Sequence, residues 1–267
     1  MKIITLFSIT TALILLTHCN KKEQPSTVKI TITKLRTRTD LAKKLTTLMQ
    51  DTTNAYYNIL LSNDSLATFK HDTNTIMSVI LPNTYIVYKG TAPRKVLLKI
   101  IEEGATFWNS KRKAQAQALG YTPQQIVTLA SIVEEETNEP ADKGNVASTY
   151  INRLKQGMKL EADPTLKYAI NDFSITRITF KHRDAAATSP YSTYANKGLP
   201  PGPICTPALS TIDAVLTAPS TNYIFFVAQP NFSGLSNFTA DYKQHLLNGQ
   251  AYHKFLDSLE QAKKKGK

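Results

Sequence analysis

Three consecutive glutamates, Glu134, Glu135 and Glu136, are the residues of this chain whose types and spacing most clearly offer chemistry. A carboxyl group beside apolar surface has its charged form disfavoured, so its pKa rises toward the range that a general acid needs near neutral pH. Three negative charges at the end of a helix also oppose the helix dipole, a cost with no visible structural benefit. The run predicts either a catalytic acid or surface groups that pair with nearby lysines.

The glutamates end a predicted helix that starts at Pro123 and is capped by Thr122, which forms a capping-box pattern with Gln125. At 100° per residue, one face of this helix is apolar. Its members are Ile126, Val127, Leu129, Ala130 and Val133. Glu135 falls nearly opposite this face and is expected to be solvated. Glu134 and Glu136 flank the face, so they are the candidates for partial burial.

Other kinds of site have little support in the sequence. The five histidines include no close pair at the spacing of metal ligands, and the two cysteines, Cys19 and Cys205, lie far apart. No elbow motif supports a Ser-His-Asp nucleophile. We therefore expect neither a metal nor a cofactor.

The composition describes an ordinary folded protein with excess positive charge. Of 267 residues, 42% are hydrophobic and 19% charged, which excludes wholesale disorder, collagen and coiled coil. Lys and Arg number 32 against 20 Asp and Glu, a net charge of +12. This charge indicates an anionic partner, whether nucleic acid, anionic lipid or an acidic polymer.

The N-terminus indicates export from the cytoplasm. A positive start is followed by the apolar run Ile3–Leu16, typical of an export signal within residues 1–19, and a polar linker covers 20–27. Leu16-Thr17-His18-Cys19 resembles a lipobox, which would make Cys19 the lipid-modified first residue of a lipoprotein. The alternative is a short uncleaved membrane anchor. Both place the chain at the outer face of the cytoplasmic membrane, which argues against a nucleic-acid partner.

Behind the linker, the sequence predicts two folded regions and a basic tail. A strand at 28–33 and two helices form a small unit over residues 28–75. A unit of this size has little stability alone, so we expect it to pack against the main domain, 76–262. The tail is 263–267. Predicted elements of the main domain are a strand at 85–88, helices at 93–119, 122–137, 143–155, 211–216 and 241–263, an ordered loop region at 173–207, and a central buried strand at 223–228.

The acidic helix lies within a series of motifs that resemble one family. Leu129–Thr137 resembles the signature of the endolytic murein transglycosylases, the YceG-like family. Other motifs follow in the family's order, covering roughly residues 76–262. They are Pro82–Tyr85, Val146–Leu154, Gly157–Thr165, Tyr191–Tyr194, Gly198–Ile204, Phe225–Val227 and Phe238–His245.

This resemblance implies a membrane-anchored enzyme that cleaves nascent peptidoglycan strands within the chain, with peptidoglycan synthases as further partners. It implies that Glu136 is the catalytic acid and that Glu134 supports it. Six more residues fall on family motifs and are expected to line the cleft: Asn152, Arg153, Asp163, Thr165, Tyr194 and His245. Structural readings stay open, since Asp163-Pro164-Thr165 also suits a turn and Tyr194 and His245 also suit hydrogen bonding within the fold.

The implied fold is α+β, a YceG-like catalytic domain preceded by a LysM-like strand-helix-helix subdomain. This subdomain is shortened, because residues 28–75 match only the second half of the family's LysM-like region. Asn83, Ser192 and Gln244 replace the family's usual Asp, Asn and Glu. The alternative functions are a muramidase that uses Glu136 and Asp163 together, and a peptidoglycan-binding lipoprotein without catalysis. In every case the positive charge is expected to attract the protein to an anionic envelope.

Overall fold

The fold consists of helices and two small sheets, and a computed structural model describes residues 26–265 of the chain. The signal or anchor segment with Cys19, nearly all of the linker and the last two residues lie outside this range. In chain order the elements are β1 Thr27–Ile32, α1 Arg38–Met49, α2 Ala55–Leu60, α3 Asn63–Ala67, a 3-10 helix Ile76–Val79, β2 Asn83–Tyr88, α4 Pro93–Ala105, α5 Ser110–Leu119, α6 Pro123–Glu136, α7 Pro140–Lys155, α8 Asp163–Ile170, α9 Phe180–Ala185, α10 Leu209–Leu216, β3 Phe225–Ala228, β4 Ser236–Thr239 and α11 Tyr242–Lys265.

The first sheet joins the two regions that the sequence distinguishes. β1 pairs antiparallel with β2, and the partners Ile30 and Tyr85 are both fully buried. One hydrophobic cluster runs from Ile30 to Ile100, so residues on both sides of position 75 share a core. The α+β class is confirmed as a mixture of helix and sheet. The LysM-like character of 28–75 and the domain boundaries stay predictions.

The second core surrounds α6. Eight consecutive α6 residues, from Ile126 to Val133, are buried, so the helix is covered on all sides rather than along one stripe. α7 and α10 pack against it. The predicted capping box is present, because Thr122 and Gln125 exchange side-chain and backbone hydrogen bonds. The three glutamates therefore stand at the end of a fixed, central helix.

Two of the predicted helices and strands differ in the structure. The single helix expected at 93–119 is two helices, α4 and α5, because the chain turns at Phe107 and Asn109 caps the second helix through Arg112 N–H. The central strand expected at 223–228 is the short β3, half-buried in a two-stranded sheet with β4 and packed against α11. Sequence patterns also missed α3, the 3-10 helix, α8, α9 and β4.

Within residues 26–265, none of the helices combines the length and apolar character that a membrane crossing requires.

Gly104 offers a test of the packing between α4 and the 3-10 helix. A Cβ atom at Gly104 would lie 2.6 Å from the backbone carbonyl oxygen of Val79, which cannot move aside as a flexible side chain could. We expect Gly104→Ala to lower the free energy of unfolding by about 1–3 kcal/mol, measured by urea denaturation.

Gly249 in α11 is the matched control, because nothing lies within 4 Å of a Cβ placed there. Gly249→Ala is expected to leave stability unchanged or raise it by up to ~1 kcal/mol. Equal stability of the two variants would contradict the close approach at Gly104.

Candidate active site

A cavity of about 430 Å³ opens at the C-terminal end of α6. Helices α6 to α9, the loop after α9, β3 and α11 all contribute to its walls. The lining residues are Glu136, Tyr150, Arg153, Leu160, Glu161, Asp163, Arg183, Tyr194, Phe226 and His245. Most of these side chains are polar or charged, so the cavity suits a hydrophilic ligand and proton transfer.

Glu136 is the last residue of α6 and is partly exposed to this cavity. Burial by the surrounding protein raises the pKa of Glu136 to about 7. A hydrogen bond from the Tyr150 hydroxyl, 2.6 Å from Oε1, opposes this rise, while the Asp163 carboxylate adds to it. At neutral pH the carboxyl therefore exchanges its proton readily, as a group that acts as acid and then as base must.

Tyr150 fixes the orientation of this carboxyl. It comes from the middle of α7, is nearly fully buried, and packs edge-on against Phe226 with the ring centroids 5.8 Å apart. Burial and the neighbouring Glu136 raise the pKa of Tyr150 well above its usual value. The phenol therefore keeps its proton and serves as a hydrogen-bond donor.

Asp163 and Tyr194 form a second pair in the cavity. Asp163 is the first residue of α8, and it accepts a 2.6 Å hydrogen bond from the Tyr194 hydroxyl. Burial and this hydrogen bond raise the pKa of Tyr194. The Arg183 guanidinium lies over the Tyr194 ring, 4.3 Å from its centroid. A carboxylate and a cation thus face the same cavity from α8 and α9.

Arg153 connects the walls of the cavity. Its guanidinium donates to the backbone carbonyls of Ile224, at 2.7 Å, and Leu160, at 2.9 Å, and forms an ion pair with Glu161. His245 of α11 stacks on Phe225, with ring centroids 4.9 Å apart. Burial and the nearby Arg153 lower the pKa of His245, so the imidazole is neutral near pH 7.

Comparison with known proteins agrees with the sequence motifs. The YceG-like family model matches residues 5–251. The chain belongs to the YceG-like family. An endolytic murein transglycosylase of Bacillus subtilis (strain 168) is 32% identical over 179 residues, 67% of this chain and 48% of that protein. A protein of the same name from Streptococcus pneumoniae (strain R6) is 27% identical over 154 residues, 56% of this chain and 27% of that one.

The fold is also that of a solved family member. The crystal structure of a yceG-like protein from Listeria monocytogenes superposes with a TM-score of 0.68 at 25% identity, covering 82% of this chain and 75% of that chain. Our chain spans 48% of the Bacillus subtilis relative and 27% of the pneumococcal one. The likeness therefore covers this YceG-like region and not the whole of those proteins.

Of the predicted site residues, the structure brings five into the cavity: Glu136, Arg153, Asp163, Tyr194 and His245. Three others lie outside its lining. Glu134 binds Lys143, at 2.7 Å, and the Thr211 hydroxyl. The Asn152 amide donates to the carbonyls of Thr221 and Tyr223, both at 2.9 Å. Thr165 is buried against the Ala162 carbonyl. These contacts hold the elements that carry the cavity.

Glu135 departs from its expected position. The sequence placed it in solvent, yet its side chain is only 15% exposed and forms ion pairs with Lys34, at 2.7 Å, and Arg36, at 2.9 Å. Burial alone would raise the pKa of Glu135, but these two cations outweigh it and lower the pKa. The expectation failed because the helical wheel of α6 does not show that the segment after β1 packs over this side.

Five residues of the lining were not singled out by sequence: Tyr150, Leu160, Glu161, Arg183 and Phe226. Tyr150 lies within the Val146–Leu154 motif, one helical turn before Leu154, which was the one signal that pointed to it. Glu161 has a left-handed backbone, with φ of 54°, a strained conformation that is enriched at functional sites. Arg183 lies in α9, which was predicted as loop.

Among residues 26–265, no three His, Cys, Asp or Glu side chains come together as a metal site would require.

The hydrogen bond from Tyr150 can be tested by titration. Because the phenol stabilises the charged carboxylate, Tyr150→Phe is expected to raise the pKa of Glu136 above about 7. Carboxyl carbon NMR of labelled glutamate in the two proteins measures this pKa. Tyr88→Phe, at a tyrosine that is 59% exposed on β2, is the control and should change nothing. An unchanged or lowered pKa in Tyr150→Phe would refute the assigned role.

Burial of Glu136 also predicts a pH-dependent cost in stability. The folded pKa, about 7, exceeds the ordinary value of 4.5, so stability is lost as pH rises between these values. Gln cannot ionise, so Glu136→Gln should be more stable than the parent at pH 8, by about 1–2 kcal/mol after allowance for solvent access, and similar near pH 4. Urea unfolding at both pH values measures the difference. Glu102→Gln on exposed α4 surface is the control, and a pH-independent difference would contradict the prediction.

Proposed function

We propose that this chain is an endolytic lytic transglycosylase of peptidoglycan. The proposal places the cut at the β-1,4 bond from N-acetylmuramic acid to N-acetylglucosamine and leaves 1,6-anhydromuramyl ends on the strands. The observation that carries it is Glu136, a carboxyl with a pKa near 7 in a polar cavity, within a chain similar to proteins named endolytic murein transglycosylases.

The reaction needs one group that is first acid and then base. Protonated Glu136 donates to the oxygen that links the two sugars, and the bond from that oxygen to the muramyl C1 breaks. Positive charge develops at C1. The Glu136 carboxylate then removes the proton from the C6 hydroxyl of the same sugar, whose oxygen attacks C1. Glu136 ends protonated, the bond formed replaces the bond broken, and no water is consumed.

The neighbours of Glu136 suit each half of this cycle. Burial and the Asp163 carboxylate favour the protonated form that begins the reaction. Once the proton has left, the Tyr150 hydroxyl stabilises the carboxylate. The negative charges of Glu136 and Asp163 then both face the positive muramyl centre. Tyr194 lines the cavity, and we assign its loop, over residues 191–207, to limiting the access of water.

Asp163 supports a second candidate function. It lines the same cavity as Glu136, and hydrolysis of a glycosidic bond normally uses two carboxylates. In that case Asp163 would activate water or attack C1, and the product would have a reducing end. Mass spectrometry of the digested strands separates the two functions, because the hydrolysed product is heavier by one water molecule.

Location and partners are part of the same proposal. We infer that the N-terminus attaches the protein to the outer face of the cytoplasmic membrane, where nascent strands and the synthases that make them are found. Labelling with a fatty acid, compared between the parent chain and Cys19→Ala, distinguishes a lipoprotein from a short anchor. The positive charge of the chain would assist attraction to this anionic surface.

Glu136→Gln tests the central claim. The substitution keeps the size of the side chain and removes the proton donor, so release of anhydromuropeptides from intact sacculi should fall by about 10²–10⁴-fold. Chromatography with mass detection follows the products. Glu102→Gln, which removes an equal charge from the exposed surface of α4, should retain parental activity.

The outcomes separate the candidate functions. Parental activity in Glu136→Gln would exclude this residue as the acid. Binding of sacculi without product release from the parent protein would identify a peptidoglycan-binding protein instead of an enzyme.

A further inference from the structure

A second cavity, of about 450 Å³, opens near the other end of α6. It shares no lining residue with the catalytic cavity, and its size falls within the range of small-molecule sites. The lining residues are Thr75, Ser78, Tyr121, Gln124, Gln125, Thr128, Leu154, Gly198, Leu199, Pro200, Pro201 and Gly202. The Gly198–Ile204 motif contributes part of this lining, but the reaction proposed above does not use the cavity.

The chemistry of the second cavity differs from that of the first. No Asp, Glu, Lys, Arg or His lines it, whereas carboxylates and cations dominate the catalytic cavity. Burial raises the pKa of Tyr121, so this phenol is also neutral. An ion would lose its hydration here without gaining a partner of opposite charge. The lining therefore suits a neutral ligand.

The groups that are present fit a sugar with an acetamido substituent. Gln124 and Gln125 supply amide donors and acceptors, and of these Gln125 Oε1 is used for the helix cap and Gln124 Nε2 contacts His71 Nδ1 at 3.3 Å. Tyr121, Leu199 and the neighbouring prolines supply apolar surface for the C–H face of a sugar ring. Stem peptides carry ionised carboxyl groups, which the uncharged lining does not favour.

The position of the second cavity relates it to the reaction. Thr128 lies eight residues before Glu136 on α6, about 12 Å along the helix axis. Two other elements also serve both sites. On α7, Arg153 lines the catalytic cavity and Leu154 the second one, and the loop after α9 lines the first with Tyr194 and the second with Gly198–Gly202.

We propose that the second cavity binds the glycan backbone of the substrate at a distance from the cleaved bond, with N-acetylglucosamine as its preferred sugar. This inference rests on the proposed function, because it assigns part of the same strand to a second site. Binding at a remote position holds a long strand in register and contributes energy that a short oligosaccharide cannot supply. The enzyme would then prefer strands long enough to reach both cavities.

The test fills the cavity by Gln124→Trp. Its matched control is Gln117→Trp, which adds the same side chain at a glutamine on the exposed face of α5. Both changes are made in the inactive Glu136→Gln protein, and calorimetry measures binding of long peptide-free glycan strands and of a tetrasaccharide. We expect Gln124→Trp to weaken binding of long strands about tenfold and to leave the tetrasaccharide unaffected.

Leu199→Ala is the second variant, because it removes part of the cavity wall instead of filling the cavity. It should also weaken the binding of long strands and leave binding of the tetrasaccharide unchanged. Thermal unfolding confirms that each variant is folded. Three results would overturn the proposal. They are equally weakened binding of long strands and the tetrasaccharide, unchanged binding in both variants, or competition with the strands by free stem peptides. Binding is measured without cleavage, so a parent protein that binds strands and does not cut them refutes the enzyme and leaves this test valid.

Discussion

The carboxyl of Glu136 must be kept at the end of a buried helix, and much of the structure follows from that constraint. A negative charge at a helix C-terminus is opposed by the helix dipole, and burial adds a cost of desolvation. Protonation relieves both costs, and burial is the main reason that the pKa of Glu136 is about 7 and not the ordinary 4.5. Tyr150 limits the rise by donating to the carboxylate. A site that both gives and takes a proton depends on this balance.

Of the three glutamates, Glu134 and Glu135 form ion pairs with cations, whereas Glu136 faces the cavity. Glu134 binds Lys143 of α7, and Glu135 binds Lys34 and Arg36 of the segment that follows β1. These ion pairs fix the last turn of α6 from two sides. Hydrogen bonds between Thr206 and the backbone of Leu35 attach the same segment to the loop over residues 191–207. The N-terminal region therefore supports the site mechanically, whatever its own affinity for glycan.

Features of the site that depend on residues close in sequence could be predicted, whereas features that depend on tertiary contacts could not. The cap at Thr122 depends on four adjacent residues, so its pattern identified the start of α6 correctly. Glu136 was singled out because it flanks an apolar face and falls on a family motif, and its side chain lines the cavity. Glu135 was misplaced because its cations lie about a hundred residues earlier in the chain. Tyr150 was not predicted, because a tyrosine on the buried face of a helix cannot be told from a core residue by sequence. Its role depends on the partner of its hydroxyl, which only the structure shows.

The ion pairs of Glu134 and Glu135 also affect which interactions set the pKa of Glu136. Three adjacent carboxylates suggest that mutual repulsion would raise the pKa of one of them. In the structure the repelling carboxylate at Glu136 is Asp163, from α8, while Glu134 and Glu135 are each neutralised by lysine or arginine. Burial, Tyr150 and Asp163 therefore set the pKa of Glu136, and both of these residues line its cavity. Any ligand that displaces water from Glu136 on entering the cavity would strengthen the same effect and so favour the protonated carboxyl.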